Sequence, residues 1–509
     1  MTQAHYQPGD PAAADTLPHF IKDVAAAYGD SIAIRLDDDS LSFKQLEEQS
    51  SKLARGLIAR GIGKGSRVGF IMGNGPNFLL YFAAIARAGA IAVPISTFIK
   101  ADELVRVLRQ SDIAGLIVQR SQLGKDYVER LCEALPSLKT SDTAELQLSP
   151  TPFLRWIVSS GESLPASIHD ISWLTDASDK ISELLLDEIE SEIHPTDQVL
   201  EVYTSGSMAL PKGVKHSHGA IMSRTHYLQT MLPCKPGMEI TVPLPMFWVG
   251  GLMMYLFPNM QVGATTVCTE GTQTNSRFAM GSVLAEEDKL SRPAGLTIWA
   301  LGMTETLGPY SYADVEREPG YPLCPPLDHI ADNFEVRIAN EKGEELPAGE
   351  VGEIQVRGYA LTAGLHKMHR ENYFTADGFY HTGDLGLKEK DRIHFVGRDG
   401  DMIKTVGSNV SPAEVELEMQ QLEGIHSAYV VGIPDKERGQ LVVAAVVLRD
   451  GVTVNFDEVE HKLRERLSSY KVPRAYRVIT REQVPMLPSN KVAKREIARM
   501  MEEYLSTQQ

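Results

Sequence analysis

Apolar and polar positions follow two alternating periods over the region from about residue 17 to residue 120. Segments with apolar residues three or four positions apart predict helices, and short apolar runs between them predict buried strands. The predicted helices are Phe43–Arg60, Phe78–Ala88 and Ala101–Arg109, and the predicted strands are Val68–Met72, Ala90–Pro94 and Ile113–Val118. Strict alternation of strand and helix is typical of parallel strands covered by helices. We therefore predict an α/β fold for this region.

The stretch from residue 139 to residue 198 has a different character. It is acidic and rich in Ser, Thr and Asp, and it contains one clear helical segment, Ser182–Ile193. We expect this stretch to lie at the periphery of the core.

A polar, glycine-containing run, Gly397-Arg398-Asp399-Gly400-Asp401, follows the strand-rich second part of the chain. The compact set of elements after it is predicted as helices Pro412–Leu422 and Asn455–Ser468 and strands Ala428–Gly432, Leu441–Leu448 and Arg477–Ile479. A segment of about 110 residues can form a small α+β domain with its own core. We predict a large α/β domain of stacked αβ subdomains over residues 1–397 and a small α+β domain over residues 398–509. Gly400 is the expected hinge, because glycine accepts the backbone changes that a domain rotation requires.

Length and composition narrow the class of protein. A chain of 509 residues is too long for one core, and 43% hydrophobic with 23% charged residues is typical of a soluble globular protein. The formal net charge of −17 argues against binding to nucleic acid or to an anionic membrane surface. Four scattered cysteines predict reduced thiols, with no disulfide framework and no zinc site. The polar amino terminus and the absence of a long apolar run predict a cytoplasmic protein without a membrane span.

Candidate chemistry begins with the sequence TSGSMALPKG at residues 204–213, which follows an apolar run. Its hydroxyl groups, exposed backbone N–H groups and single lysine are the donors that a polyphosphate requires. A mobile surface turn is the alternative interpretation of such a loop. It is not a Walker A loop, because Gly213 follows the lysine where a metal-binding Ser or Thr would be needed.

Three further motifs occur downstream in the chain. Gly302-Met303-Thr304-Glu305 places a carboxylate after a hydroxyl, which suits Mg²⁺ beside a nucleotide. The HTGD sequence at residues 381–384 places the acceptor Asp384 in a turn, and Lys491 lies in the turn PSNKV. Taken singly, Glu305 could cap a helix, Asp384 could close a turn and Lys491 could be solvated.

The pair His216 and His218 lacks a third metal ligand with suitable spacing, so we expect a structural role for both.

Together and in this order, these motifs resemble those of the adenylate-forming superfamily of acyl-CoA synthetases, nonribosomal adenylation domains and luciferases. The resemblance runs from the helix at Phe43 to Lys491, and it also rests on PMFWVGG at 245–251, GEI at 352–354, GR at 397–398 and GSNVSP at 407–412. It implies an acid–thiol ligase that forms an acyl-adenylate from a carboxylic acid and ATP and then transfers the acyl group to coenzyme A. ATP, Mg²⁺ and coenzyme A are the implied cofactors.

The resemblance also implies a role for individual residues. Lys491 would be the catalytic lysine, Thr304 would bind the α-phosphate and Glu305 would bind Mg²⁺. The implied nucleotide-binding positions are Thr204, Ser205, Gly206, Ser207, Lys212, Gly302, Met303, Asp384 and Arg398, of which Asp384 and Arg398 would hold the ribose. Trp248 and Gly251 would border the acyl pocket. Rotation about Gly400 would withdraw Lys491 for the second step and bring in another face of the small domain, which carries Lys404.

The chain departs from the family pattern in one long interval. Between Gly251 and Gly302 it lacks room for a strand-helix-strand unit with a glycine-rich strand end, which implies an internal deletion near residues 280–300. Leu301, Met208-Ala209 and Asn490 are smaller departures from the family pattern.

The leading hypothesis is an acyl-CoA synthetase for an apolar acid. A ligase that loads a carrier protein, and a nucleotide-binding protein inactivated by the deletion, are the alternatives, and oligomeric state is left open.

Overall fold

The computed structural model describes residues 7–122, 124–204, 211–232, 234–269, 299–313, 329–340, 342–390, 392–398, 403–410, 412–485 and 492–507. Its α-helices are α1 Leu17–Tyr28, α2 Phe43–Ala59, α3 Pro76–Arg87, α4 Ala101–Gln110, α5 Tyr127–Ala134, α6 Ser172–Thr175, α7 Glu183–Ser191, α8 His218–Met231, α9 Val249–Gly251, α10 Phe257–Gln261, α11 Pro412–Gln420, α12 Phe456–Arg466 and α13 Lys494–Ser506. A π-helical turn, Leu252–Leu256, joins α9 to α10.

The strands follow the same chain order. They are β1 Ile32–Leu36, β2 Asp39–Ser42, β3 Arg67–Ile71, β4 Ile91–Ile95, β5 Gly115–Val118, β6 Ser121–Gln122, β7 Lys125–Asp126, β8 Trp156–Ser159, β9 His169–Asp170, β10 Gln198–Thr204, β11 Lys212–Ser217, β12 Glu239–Thr241, β13 Thr265–Cys268, β14 Trp299–Met303, β15 Gly308–Ala313, β16 His329–Ile330, β17 Phe334–Ala339, β18 Gly352–Gly358, β19 Gly364–Leu365, β20 Tyr380–Glu389, β21 Arg392–Arg398, β22 Ile403–Thr405, β23 Ser408–Val410, β24 Ile425–Asp435, β25 Gly439–Leu448 and β26 Ala475–Val478.

The largest sheet confirms the predicted α/β architecture. Its strand order is β19-β11-β10-β4-β3-β5-β8-β9, and the strands from β10 to β9 pair in parallel. The hairpin partner β11 and the short strand β19 complete one edge in antiparallel pairing. The apolar runs predicted as strands are β3, β4 and β5, and β4 and β5 are buried along their whole length. A second sheet, β12-β13-β1-β2, contains the parallel pairs β12–β13 and β13–β1.

The prediction that residues 139–198 lie at the periphery of the core is wrong in one respect. Strand β8 is fully buried and pairs in parallel with β5, so this stretch contributes to the main sheet. Helix α7 is tied to the core by Glu190, which is 2% exposed and forms an ion pair with Arg87 of α3. The acidic composition concealed these features, because a four-residue strand contributes few apolar residues to a stretch of this length.

The second part of the chain contains a four-stranded antiparallel sheet, β17-β18-β20-β21. Its apolar side chains form their own cluster, which includes Phe334, Ile354 and Ile393. Strand β20 contains the HTGD motif and β21 ends at Arg398. Two of the predicted family motifs therefore lie on neighbouring strands.

The described residues from 403 to 507, here called the carboxyl-terminal unit, form a separate α+β arrangement. Their sheet has the order β23-β22-β25-β24, with β26 paired to β25 in parallel. Helices α11 and α12 pack on one side of the sheet through a cluster that includes Val415, Val442 and Leu463. Helix α13 supplies Ile497 and Met501 to a second cluster. The small α+β fold predicted for this part of the chain is confirmed.

Among the described residues, none of the helices combines the length and the apolar character of a membrane span.

Two buried histidines lie where β11 passes into α8, and they have the structural role expected for them. His216 Nε2 lies 2.9 Å from the carbonyl oxygen of Thr304, and because a carbonyl only accepts, the imidazole donates. His218 Nδ1 accepts a hydrogen bond from the backbone N–H of Leu17 at 3.2 Å. Burial lowers the pKa of each imidazole to about 3. Both histidines are therefore neutral in the folded protein at ordinary pH.

These histidines make the fold sensitive to acid. Below about pH 6.5 the unfolded chain binds protons on both imidazoles and the folded chain does not, so stability falls from there down to about pH 3. We expect a loss of about 2 kcal/mol per histidine in the free energy of unfolding between pH 7 and pH 5. Urea unfolding of the protein and of His218→Gln, at both pH values, should show a smaller loss in the variant.

The matched control is His461→Gln, because His461 lies on the surface of α12 with its side chain 78% exposed. It should reproduce the pH dependence of the unmodified protein. An equal loss of stability in His218→Gln and His461→Gln would contradict the assignment.

Candidate active site

A cavity of about 290 Å³ lies between the large sheets and the carboxyl-terminal unit. Thr204 at the end of β10, Trp248 before α9, and Thr304 after β14 line it from the large part of the chain. Gly407 and Ser408 line it from the carboxyl-terminal unit. These residues are up to about 200 positions apart in the sequence, and polar and apolar groups share the cavity wall.

The sequence predicted as a phosphate loop joins β10 to β11. Thr204 and Lys212 are directly opposite each other in this antiparallel pair, so both ends of the loop are fixed by the sheet. Ser205, Gly206 and Ser207 lie outside the described residues. The Lys212 ammonium lies 4.9 Å from the centre of the Tyr373 ring, a cation–π distance. Of these two strand ends, Thr204 lines the cavity and Lys212 does not.

The GMTE turn follows β14 as a 3₁₀ turn over Thr304–Thr306. Its carbonyl groups are held from two directions: His216 donates to Thr304, and the backbone N–H of Thr362 donates to Glu305 at 2.7 Å. Gly302 permits the close approach of the neighbouring strand, since a Cβ atom there would lie 2.4 Å from the carbonyl oxygen of Gly308. Gly302, Met303 and Thr304 all line the cavity.

The side chain of Glu305 is oriented by a residue that the sequence analysis missed. The Tyr380 hydroxyl donates to Glu305 Oε1 at 3.1 Å. Tyr380 begins β20, the strand that also contains Asp384, so the predicted metal ligand and the predicted ribose ligand are linked through one strand. The signal available in the sequence was that Tyr380 directly precedes HTGD.

Asp384 and Arg398 face each other across the β20–β21 pair. Asp384 is 4% exposed, and its backbone N–H donates to the Thr382 hydroxyl at 3.0 Å. Glu353 supports the preceding turn by accepting from the backbone N–H of Gly383 at 3.1 Å. The two residues predicted to hold the ribose therefore lie side by side in the sheet, and Asp384 is not part of the cavity lining.

Trp248 forms an aromatic group with Phe247 and Phe98. The ring centroids lie 5.5 Å apart for Phe247 and Trp248 and 6.3 Å apart for Phe98 and Trp248. The segment before them is held by Asn74, which donates to the Leu244 carbonyl and accepts from the Met246 N–H. Trp248 and Phe247 form an apolar part of the cavity wall.

Three other predicted residues belong to the carboxyl-terminal part of the sequence. Lys404 is exposed on β22, with its ammonium 5.5 Å from the centre of the Phe395 ring, and it does not line the cavity. Lys491 and Gly400 lie outside the described residues, so their roles stay predictions.

The implied Mg²⁺ fits the donors that lie beside the cavity. They contain no group of three or more His, Cys, Asp or Glu side chains arranged around a common metal position. Mg²⁺ takes few protein oxygens and leaves its other positions to water and phosphate. A single oriented carboxylate, Glu305, beside a turn that lines the cavity fits that requirement.

Comparison with known protein families gives two matches along the chain. A model of AMP-binding enzymes matches residues 21–289, which is more than half of the chain. A model of the AMP-binding enzyme C-terminal domain matches residues 414–491.

The chain belongs to the AMP-binding enzyme family. The predicted membership in the adenylate-forming superfamily is thereby confirmed, together with the family's class, an acid–thiol ligase that uses ATP, Mg²⁺ and coenzyme A.

Relatives match over nearly the whole length. A mitochondrial medium-chain acyl-CoA ligase of Mus musculus is 25% identical over 535 residues, covering 94% of this chain and 85% of the mouse protein. A feruloyl-CoA synthase of Amycolatopsis sp is 28% identical over 515 residues, covering 92% of this chain and 95% of that protein. Because the first alignment is longer than the 509 residues of this chain, the mouse protein has residues without a counterpart here.

A solved structure confirms the fold. The amide bond synthetase McbA from Marinactinospora thermotolerans superimposes with a TM-score of 0.74 at 21% identity, covering 94% of this chain and 99% of that one. The AMP-binding enzyme fold therefore extends over both parts of the chain that the sequence divided into a large and a small domain.

Gly251, predicted beside the acyl pocket, acts through backbone packing. A Cβ atom at Gly251 would lie 2.3 Å from the Pro245 carbonyl oxygen, whereas one at Gly250 would meet only the Leu244 Cδ1 atom, at 2.9 Å. We expect Gly251→Ala to lower the free energy of unfolding by about 1–3 kcal/mol, because a backbone segment has to move. Gly250→Ala should have a smaller effect, because a leucine side chain can rotate away.

Urea unfolding of both variants at pH 7 checks this prediction. Equal stability of the two variants would show that the close approach at Gly251 is not a constraint on the fold.

Proposed function

We propose that this AMP-binding enzyme is an ATP-dependent acyl-CoA synthetase for an apolar carboxylic acid. The observation that carries the proposal is the shared cavity, which Thr204, Thr304 and Trp248 line together. Hydroxyl groups suit the phosphates of a nucleotide, and an aromatic wall suits an apolar acyl group. The relatives that act on medium-chain acids and on ferulate, as their names state, support this class of substrate.

The proposed reaction has two steps. In the first, an oxygen of the substrate carboxylate bonds to the α-phosphorus of ATP and the bond to pyrophosphate breaks. In the second, the thiol sulfur of coenzyme A bonds to the acyl carbon and the bond to AMP breaks, with the thiol proton released. Both steps place negative charge on phosphate oxygens, so cationic and N–H donors dominate catalysis.

We assign the roles of the residues accordingly. Lys491 stabilises the charge that develops between carboxylate and α-phosphate, and Thr304 donates to the α-phosphate. Thr204, Ser205, Gly206, Ser207 and Lys212 hold the leaving phosphates, and Asp384 with Arg398 holds the ribose. Glu305 would hold Mg²⁺, which neutralises phosphate charge when bound.

The domain organisation belongs to the same proposal. Residues 1–397 form the nucleotide- and acyl-binding domain, and residues 398–509 form a mobile domain that carries Lys491 and turns about Gly400. The three cysteines among the described residues are free, which supports a reducing compartment such as the cytoplasm.

The decisive experiment combines a substrate screen with a lysine variant. Hydroxylamine trapping of acyl-adenylates from short, medium, long and aromatic acids should give a signal for apolar acids, and coenzyme A should convert them to thioesters. Lys491→Ala should lower adenylate formation by roughly 100-fold or more, because a preorganised cationic donor is lost.

Arg495→Ala is the control, because Arg495 is an exposed cation four residues further along the chain. It should retain full activity. Trapping at an undiminished rate in Lys491→Ala, or thioester formation only with a carrier protein, would overturn the proposal.

Tyr380→Phe tests the assignment of Glu305. Removing the hydroxyl leaves the carboxylate less well oriented while the aromatic ring keeps its packing. One hydrogen bond contributes about 0.5–1.5 kcal/mol, so the Mg²⁺ concentration for half-maximal adenylation should rise by roughly 2–10-fold.

Magnesium titrations of Tyr380→Phe and of Tyr359→Phe, an exposed tyrosine, provide the comparison. Identical magnesium requirements in the two variants would remove Tyr380 from the site.

A further inference from the structure

The carboxyl-terminal unit meets the large part of the chain at helix α4, and a buried lysine lies at the centre of this contact. Lys471 Nζ lies 2.6 Å from Glu103 Oε1 of α4 and 3.0 Å from Glu414 Oε1 of α11. Glu103 is 5% exposed and Lys471 is 8% exposed. One ammonium group is therefore shared between a carboxylate of the large part and a carboxylate of its own unit.

Other contacts fix the same helix face. The Ser468 hydroxyl lies 3.2 Å from Glu103 Oε2 and 3.2 Å from the carbonyl oxygen of Phe98. One turn further along α4, Arg106 donates to Glu418 of α11 at 2.6 Å. Because these groups come from consecutive turns of one helix, they set both the position and the rotation of the carboxyl-terminal unit.

The charges are arranged so that the contact can open. If the two parts separate, Lys471 keeps Glu414 as its partner, and Glu103 keeps the backbone N–H of Lys100, which donates to Glu103 Oε2 at 3.2 Å. Neither side then retains an isolated buried charge. The attraction across a buried ion pair is largely offset by the desolvation of its charges, so the net free energy of such a contact is small.

The contact also decides which residues complete the cavity. Glu103 and Lys471 lie at the same cavity as Gly407 and Ser408. The latter two belong to the β22–β23 hairpin, whose two-residue turn, Val406-Gly407, has positive φ angles of 50° and 72°. Such a turn joins its strands tightly, so the hairpin follows the orientation of its unit. This hairpin includes Lys404, which the family resemblance places on the face expected to serve the second step.

Resting on the proposed function, we propose that Glu103 and Lys471 are positioning residues for thioester formation. Their ion pair holds the carboxyl-terminal unit with its β22–β23 hairpin at the cavity, the orientation for attack by the coenzyme A thiol. Adenylate formation, which requires Lys491 at the nucleotide, does not depend on this pair.

The experiment separates the two half-reactions in Glu103→Gln. Adenylate formation, measured as pyrophosphate exchange into ATP, should stay within about twofold of the unmodified enzyme, and thioester formation from the adenylate should fall about tenfold or more. Asp102→Asn is the matched control, because it removes the same charge from the adjacent exposed position of α4. Lys471→Met should reproduce Glu103→Gln, with the exposed Lys462→Met as its control.

A distance measurement without substrates tests the orientation directly. Spin labels at Ser137→Cys and Glu458→Cys, both exposed, would be placed on the two parts after the four native cysteines are replaced. Glu103→Gln should broaden the distance distribution and Asp102→Asn should not. Unchanged distributions, or equal losses in both half-reactions, would overturn the proposal. A protein that forms no adenylate would refute the proposed function, and the distance distributions would still decide whether Glu103 orients the unit.

Discussion

The hydrogen bond from the His216 imidazole to the Thr304 carbonyl joins the two chain segments on which the site depends. His216 lies on β11, the strand that follows the predicted phosphate loop, and Thr304 belongs to the GMTE turn. Since the imidazole is fully buried and neutral, it acts as a fixed donor without introducing charge into the core. Strand β11 and the GMTE turn are thereby held together.

A second set of contacts holds the residues around the carboxylates of Glu305 and Asp384. Tyr380 orients Glu305, and Glu353 holds the backbone of Gly383, one residue before Asp384. Both supports come from the antiparallel sheet β17-β18-β20-β21, not from the largest sheet, which contains β10 and β11. Two sheets with separate cores are therefore linked at the GMTE turn, one through His216 and the other through Tyr380.

The carboxyl-terminal unit is attached in a different way. Its contact with α4 is built from charged and polar side chains, whereas each part has its own apolar clusters. An interface of this kind can separate without exposing a hydrophobic core to water, because the core remains inside each part. This arrangement is compatible with the proposed rotation about Gly400, and it gives individual residues, such as Glu103, the proposed control over orientation.

The sequence by itself determined the alternation of strand and helix, the separate α+β unit, and the residue types that phosphate, Mg²⁺ and an acyl group require. These features were predictable because burial on one face and turn chemistry are properties of short segments. Only the tertiary structure decided that β8 joins the main sheet, that Tyr380 meets Glu305, and that Lys471 lies between Glu103 and Glu414. Those pairings join residues that are 41 to 368 positions apart in the sequence. A local pattern contains no information about which distant partner a buried group will meet.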